Sequence, residues 1–358
     1  MSKHRILIGL TIAHALVSTA MAQTTPPAEP VVAFPYYNAA HAMQGLHQRV
    51  LLPRAQAFVD ASQALARQTD AHCSAAGSAP PLAAVRQQWQ ATLQTWEAFS
   101  TVATGPVLER RSQRQIDFWP VRPSLIQRAI AREPQGEKAM ELVGTPAKGL
   151  PALEWLLWTQ PVRPGTPACA YAGEVAQDIV REASALLQAE TGAAALDWAE
   201  DEAAASKGLA EWVNQWIGAL ERLSWEQMQK PVKAAAPGER PVYARSASGS
   251  DAASWKTQWR TLREHAGLTP EQYRAPPVPG QSLVSIEALL IGKGHLALAA
   301  RWSKALDQAN LAMADADPAR PAGVLTAAQS LKSLEKLLQG DVVSSLDISL
   351  GFSSADGD

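Results

Sequence analysis

The sequence predicts an all-α protein, and three observations carry that reading. Apolar residues recur at spacings of three and four through most of the chain, which places them on one stripe of a helix. No run of alternating β-branched residues marks a strand. Proline is dense in a few linkers and sparse between them, so long helices alternate with broken segments.

At the N-terminus, Lys3 and Arg5 precede an apolar run from Ile6 to Ala20, and Ala20-Met21-Ala22 stands before Gln23. A basic head, a short apolar run and small residues at the cut describe a secretory signal peptide over 1–22. The run is broken by His14 and Ser18 and falls short of the about 20 residues that cross a bilayer. The expected mature chain starts near Gln23, is periplasmic, and has no transmembrane segment. No cysteine sits at the cut, so no lipid anchor is expected.

The first mature helix is expected over Tyr36 to Asp70, kinked near Pro53. Val85, Trp89, Trp96 and Phe99 mark a second helix, with Pro80-Pro81 suited to its start. Between Thr104 and Pro167, nine prolines forbid one long helix and imply short helices joined by turns. Irregular segments on a rigid scaffold are where function tends to sit. Tyr171, Val175, Ile179, Ala183 and Leu186 give a further helix. Leu209, Trp212, Val213, Trp216, Ile217, Leu220 and Leu223 give another, from about Ser206 to Gln229. The segment Pro231 to Ser250, rich in Pro, Gly, Ala and Ser and carrying Lys233, Arg240 and Arg245, reads as a mobile surface excursion. Pro270 to Gly280 breaks the chain again before a helix near Ser282, and Val324, Ala328, Leu331, Leu334 and Leu338 form the last stripe.

Composition narrows the partners. The chain has 32 Lys+Arg against 34 Asp+Glu, and signal removal takes two bases and no acids. Phosphate binding needs a basic face, so nucleic acid is not an expected partner. Twelve Trp outnumber five Phe and five Tyr. They are expected to pack between helices, each indole N–H needing an acceptor. Cys73 and Cys169 lie in loop-like surroundings, and two thiols in an oxidising compartment favour one disulfide. Two free thiols or a two-thiolate metal site are the other readings, the latter without Cys-x-x-Cys spacing or a His cluster to support it.

A faint repeat aligns Leu150-Pro151-Ala152-Leu153-Glu154-Trp155-Leu156-Leu157-Trp158 with Leu283-Val284-Ser285-Ile286-Glu287-Ala288-Leu289-Leu290-Ile291. It suggests two helical-bundle halves, 30–192 and 193–358, related by approximate two-fold symmetry. In the first copy Pro151 suits a first helical turn, and Glu154 falls near the helix start, where the dipole favours an anion. A carboxylate among Leu153, Trp155 and Leu156 is also expected to be partly buried and to need a cation, a donor or a metal. Arg110, Arg111 and Arg114 precede Asp117 and are either its partners or a solvated basic turn.

The usual catalytic signatures are missing. His41, His47, His72, His265 and His295 include no pair at helical ligand spacing. There is no His-Glu-x-x-His, no Gly-x-Ser-x-Gly and no phosphate loop. His295 after Gly292-Lys293-Gly294 is a cleft candidate or a partly solvated helical histidine.

Four segments resemble the imelysin family. Gly149-Leu150-Pro151-Ala152-Leu153-Glu154 is similar to its Gly-x-His-x-x-Glu motif, and Ile116-Asp117-Phe118-Trp119-Pro120 to its Ile-Asp-x-Trp-Pro segment. Trp96-Glu97-Ala98-Phe99 with Gly105-Pro106 resembles the preceding helix and turn, and Gly351 to Asp358 the Gly-Phe-Asn-x-x-Asp-Gly-Asp ending. The resemblance implies two related helical bundles with a site near their interface, a cell-envelope location, an association with iron acquisition, and a peptidase designation. Residue by residue it carries over Glu97, Asp117, Trp119, Gly149, Glu154, Asp356 and Asp358 as candidates for a ligand or metal site. Pro151 stands where the motif has histidine and offers no lone pair to a metal, so an all-carboxylate site would favour a harder ion.

The expected function is therefore a periplasmic binding or accessory module linked to iron or other metal acquisition. A divalent metal or iron is the conceivable cofactor, and envelope iron-uptake proteins are the conceivable partners. The alternatives are a metallopeptidase, in which Glu154 would be the catalytic residue, and a non-catalytic structural envelope protein. Enzymatic activity is left open, and the sequence leans against it.

Overall fold

A computed structural model describes residues 32–74, 81–349 and 351. The signal segment 1–22, Pro80, Asp356 and Asp358 lie outside the described residues. Among the described residues every regular element is helical, as the apolar periodicity requires. No helix among them is long and apolar enough to cross a membrane. The described residues from Ala33 onward form one compact unit.

The long first helix is interrupted. Helix α1 (Ala39–Leu46) passes through a π-helical turn, His47–Leu51, into α2 (Leu52–Ser74). Pro53 lacks the N–H that would bond back to the preceding turn, and the irregular turn lies just before it. The Asn38 side chain accepts from His41 N at 2.9 Å and fixes the start of α1. Helix α3 (Leu82–Ser100) begins directly after Pro81.

Short helices follow, as the proline density demands: α4 (Pro106–Glu109), α5 (Ser112–Ile116), α6 (Pro123–Arg132), α7 (Gly136–Glu141) and α8 (Gly149–Glu154). Helix α9 (Pro167–Ala195) starts with Thr166 as its cap and Pro167 in its first turn. It runs antiparallel to α2, with Gln177 bonded to Asp70 at 3.1 Å near one end and His47 paired with Glu190 at 3.1 Å near the other. Gly173 lets the two backbones approach, since a Cβ there would fall 2.8 Å from Asp70 Oδ1. Helix α3 completes this first layer against α2.

The second half begins with α10 (Glu202–Glu221), which continues as a π-helical stretch, Arg222–Gln229, and ends in α11 (Lys230–Ala234). Helices α12 (Asp251–Ala266), α13 (Pro270–Arg274), α14 (Ile286–Gly292), α15 (Leu296–Ala314), α16 (Pro321–Leu337) and α17 (Val343–Ser345) follow. Packing crosses the proposed division near residue 192, with α1 on α10 and α3 on α12.

Tryptophan holds the layers together. Trp89, Trp96, Trp212, Trp216, Trp255 and Trp302 are fully buried. Trp89, Trp216 and Trp302 donate to the carbonyls of Leu150, Leu262 and Ala266 at 2.9, 2.9 and 2.8 Å, and Trp212 donates to His265 Nδ1 at 3.0 Å. Each contributes large apolar area without stranding its polar atom.

Three expectations need correction. Cys73 and Cys169 are not in loops: one ends α2, the other opens α9, and they form a disulfide. The helix expected near Ser282 starts at Ile286, because Ser285 supplies the cap by accepting from Ala288 N. The segment Pro231 to Ser250 is not a simple surface excursion. Its first residues finish α11, and its second half carries the buried residues Tyr243, Arg245 and Ser250.

Candidate functional site

The site is built from four stretches that are far apart in sequence. Glu97 lies one turn before the end of α3, on the buried face set by Trp89, Trp96 and Phe99. Asp117 caps the end of α5, its own N–H bonded to Gln113 O at 2.8 Å. Glu154 closes α8, where the helix widens into a π-helical turn, Trp155–Thr159. Such turns recur at functional sites. Gly149 opens α8 with φ +77° and lies against α5, so that a Cβ would come within 2.4 Å of Ile116 O. The motif glycine thus docks the Glu154 helix onto the residues that carry Asp117.

The fourth stretch is the loop before α12. Tyr243 packs edge-on against Trp255 at 5.0 Å, and Gln90 bonds Ser250 at 3.2 Å. Asp251, at the start of α12, accepts from Arg245 N at 2.7 Å and from the Ser246 hydroxyl at 3.3 Å. These anchors drive the Arg245 side chain inward, where it is 5% exposed. Its Nη2 donates to Asp117 Oδ1, and its Nη1 stands 4.0 Å from Glu154 Oε2. The other Glu154 oxygen accepts from Ser248 N at 2.9 Å. Glu154 is therefore compensated by this loop rather than by a helix start.

Glu97, Asp117, Asp251, Ser254 and Arg245 line one cavity of about 170 Å³, together with Trp96, Trp255, Arg222, Gln113, Gln227 and Gln258. Glu97 Oε1 accepts from the Ser254 hydroxyl, which itself accepts from Gln258 at 3.0 Å. Glu97 Oε2 and Arg245 Nη1 are buried with no hydrogen-bond partner among the described residues. Arg222, from the π-helical stretch after α10, donates to Thr101 O at 3.3 Å.

Burial dominates the electrostatics. It pushes the Glu97 carboxyl up to about 8, Arg245 and Ser254 pulling against it while Asp117 and Asp251 add to it. Burial also raises Glu154 and Asp251, each against the attraction of Arg245. Burial alone would lower Arg245, but Asp117, Glu97 and Glu154 outweigh it and hold its proton more firmly than usual. Burial lowers Arg222 to about 10. At neutral pH Glu97 keeps its proton and the arginines keep theirs.

A raised carboxyl binds its proton more tightly in the folded chain than in the unfolded one. The Glu97 contribution is thus fully present below about 4.5 and is lost as pH climbs through about 8. The expected result is unfolding stability that declines from mildly acid to mildly alkaline pH, with a flatter profile in Glu97→Gln. Urea unfolding across that range checks it, and matching slopes would remove Glu97 as the titrating group.

Of the sequence-derived candidates, Glu97, Asp117 and Glu154 converge, and Gly149 braces them. Trp119 does not join them: it is 48% exposed and does not line the cavity. Of the arginines before Asp117, Arg110 turns to Glu182 instead, at 2.8 Å. Glu287, the repeat counterpart, is buried elsewhere, accepting from Leu268 N at 2.8 Å and from the Tyr273 hydroxyl. His295 precedes α15 as its cap residue and is not part of the cavity wall. Sequence reasoning missed Arg245, Asp251 and Ser254. The aromatic Tyr243 and the alternating serines leading into Asp251 were the available sign of an anchored loop.

The residues do not fit a metal centre. Arg245 already gives Asp117 and Glu154 a positive partner. Among the described residues no three His, Cys, Asp or Glu side chains are grouped to hold a metal ion.

A helical scaffold enclosing a small polar cavity, with carboxylates gathered round one arginine, is the class of protein this geometry defines. The chain belongs to the imelysin family, whose model carries a peptidase designation and matches residues 51–345. Its fold is similar to that of an imelysin-like protein from Psychrobacter arcticum 273-4, with TM-score 0.67 and 17% identity, covering 90% of this chain and 100% of that one. It is also similar to a candidate iron-regulated protein A precursor from Parabacteroides distasonis ATCC 8503, with TM-score 0.69 and 16% identity, covering 88% and 98%. No curated protein sequence matches the chain significantly.

Proposed function

We propose that this chain is a periplasmic binding module serving iron handling, which captures a small ligand at the Arg245 cavity and breaks no bond itself. One observation carries the reading: a polar cavity beside which a carboxyl oxygen of Glu97 and a guanidinium nitrogen of Arg245 are both buried without a hydrogen-bond partner among the described residues. Each such group costs about 1–3 kcal/mol unless something polar meets it. The cavity is therefore built for a guest. Ser254 is a poor nucleophile here, because its hydroxyl donates to a Glu97 that is itself protonated at neutral pH. The link to iron is supported by the family resemblance and by the name of one structural neighbour. The periplasmic location is supported by the signal-like residues 1–22.

A peptidase is the second reading, favoured by one feature: a carboxyl near 8 is poised for general acid–base work. Native mass spectrometry of the exported protein separates the two, run beside incubation with an unfolded peptide. The expected outcome is a small adduct that Arg245→Met loses, an intact peptide, and a protein level that rises when iron is withheld. Chelator-sensitive cleavage that disappears in Glu154→Gln would sink the binding reading, and an iron-independent level would sink the iron link.

A further inference from the structure

The chemistry of the cavity wall narrows the guest, taking the binding-module reading as its basis. The charged groups around Glu97 come from every element that encloses it. They are Asp117 after α5, Arg245 of the loop, Asp251 of α12 and Arg222 of the π-helical stretch, with Glu154 of α8 outside the wall on the far side of Arg245. Three carboxyls of the wall, Glu97, Asp117 and Asp251, thus face two guanidiniums, Arg245 and Arg222. The wall has one acid more than it has guanidiniums, and Glu97, whose second oxygen is open, is the acid left without a cation of its own.

The rest of the lining decides which cation would suit. Trp96, Trp255 and Ala219 are among the apolar residues that line the cavity. Aromatic walls beside a carboxylate attract organic ammonium groups by charge and by the ring quadrupole. A hard metal ion would instead need six or more oxygens at about 2.0–2.6 Å, and no such grouping occurs among the described residues. Arg245 Nη1, 4.0 Å from Glu154 Oε2 and with no hydrogen bond among the described residues, is free to donate to an oxygen on the same guest.

We propose that the cavity takes a small organic monocation, an ammonium with an oxygen close to its charged head, seated on the Glu97 carboxylate against the Trp96 and Trp255 indoles with its oxygen facing Arg245. The proton on Glu97 stands in for that guest. Binding ionises the carboxyl and releases the proton to solvent, so only the ionised form competes for the cation. Affinity then rises close to tenfold per pH unit below about 8 and levels off above it.

Calorimetric titration of the full mature chain with ethanolamine and with choline tests this, with sodium acetate as the anionic control. Runs at about pH 6.5 and about pH 8.5 bracket the titration, and two buffers of different ionisation enthalpy read the proton count. The expected result is binding of at least one ammonium with close to one proton released near neutrality. Glu97→Gln should weaken it tenfold or more and abolish its pH dependence. The proton count is read on the wild-type chain, so the test holds even if the variant folds poorly. Three results would overturn the proposal: no ammonium binding at the higher pH, binding without proton release, or undiminished binding to a folded Glu97→Gln. Acetate binding in place of the ammonium would also overturn it while leaving the binding module intact, whereas chelator-sensitive peptide cleavage would remove the module itself.

Discussion

Arg245→Met is expected to lower the unfolding free energy by about 3–5 kcal/mol, the usual effect of removing one member of a buried ion pair. The side chain is buried, bonded to Asp117 and set beside Glu154, and it also attracts Glu97 and Asp251. Without it the folded chain holds its acids in a low-dielectric setting with Arg222 as the remaining cation of the cavity wall. They respond by keeping protons that the unfolded chain gives up, so the deficit is largest at alkaline pH and shrinks on acidification. Arg245→Lys restores charge but not the two-pronged geometry, and recovers only part of the loss. Urea unfolding of the three proteins at acid and alkaline pH is the measurement. A deficit under about 1 kcal/mol, the range of an exposed pair, would show that solvent does the compensating.

Loss of the Cys73–Cys169 bond is the second large effect. The two cysteines are separated by 96 positions, so the bond removes much of the freedom of the unfolded chain. The chain-entropy model puts the stabilisation at about 4–5 kcal/mol as an upper figure. The bond also joins the end of α2 to the start of α9, where Gly165 N already bonds Cys73 O at 3.1 Å. Because the native geometry is held by these neighbours, Cys73→Ser with Cys169→Ser should fold but unfold at lower urea. The same shift should follow reduction of the wild-type chain. Two free thiols in the denatured, unreduced protein, or no shift on reduction, would contradict this.

The all-helical class was legible because helical periodicity depends only on local spacing, and stripes such as Leu209 to Leu223 are long enough to show it. Helix boundaries were less so. The π-helical turn at His47–Leu51 and the stretch at Arg222–Gln229 answer to tertiary packing, which spacing does not encode. The acids of the site were legible through the motif segments. Their counter-ion was not. Arg245 sits in a stretch of Pro, Gly, Ala and Ser that has the composition of a surface loop. Its burial arises from contacts made at a distance, Tyr243 on Trp255 and Gln90 on Ser250. A basic residue in such a stretch reads as solvated until the partners are known. Ser254 escaped for a related reason: one hydroxyl on a helix rich in polar residues does not announce which face is inward.

The order of residues in the site also bears on biogenesis. Glu97, Asp117 and Glu154 all precede Arg245 in the chain, and a secreted polypeptide crosses its membrane N-terminus first. If this chain is exported as proposed, its leading portion for part of that passage carries three acids of the site without the Arg245 that compensates them. A nascent chain halted before Arg245 emerges therefore gains little by closing, and it should remain an open substrate for envelope proteases. Under that proposal, arrival of Arg245, rather than local helix formation, becomes the event that licenses closure.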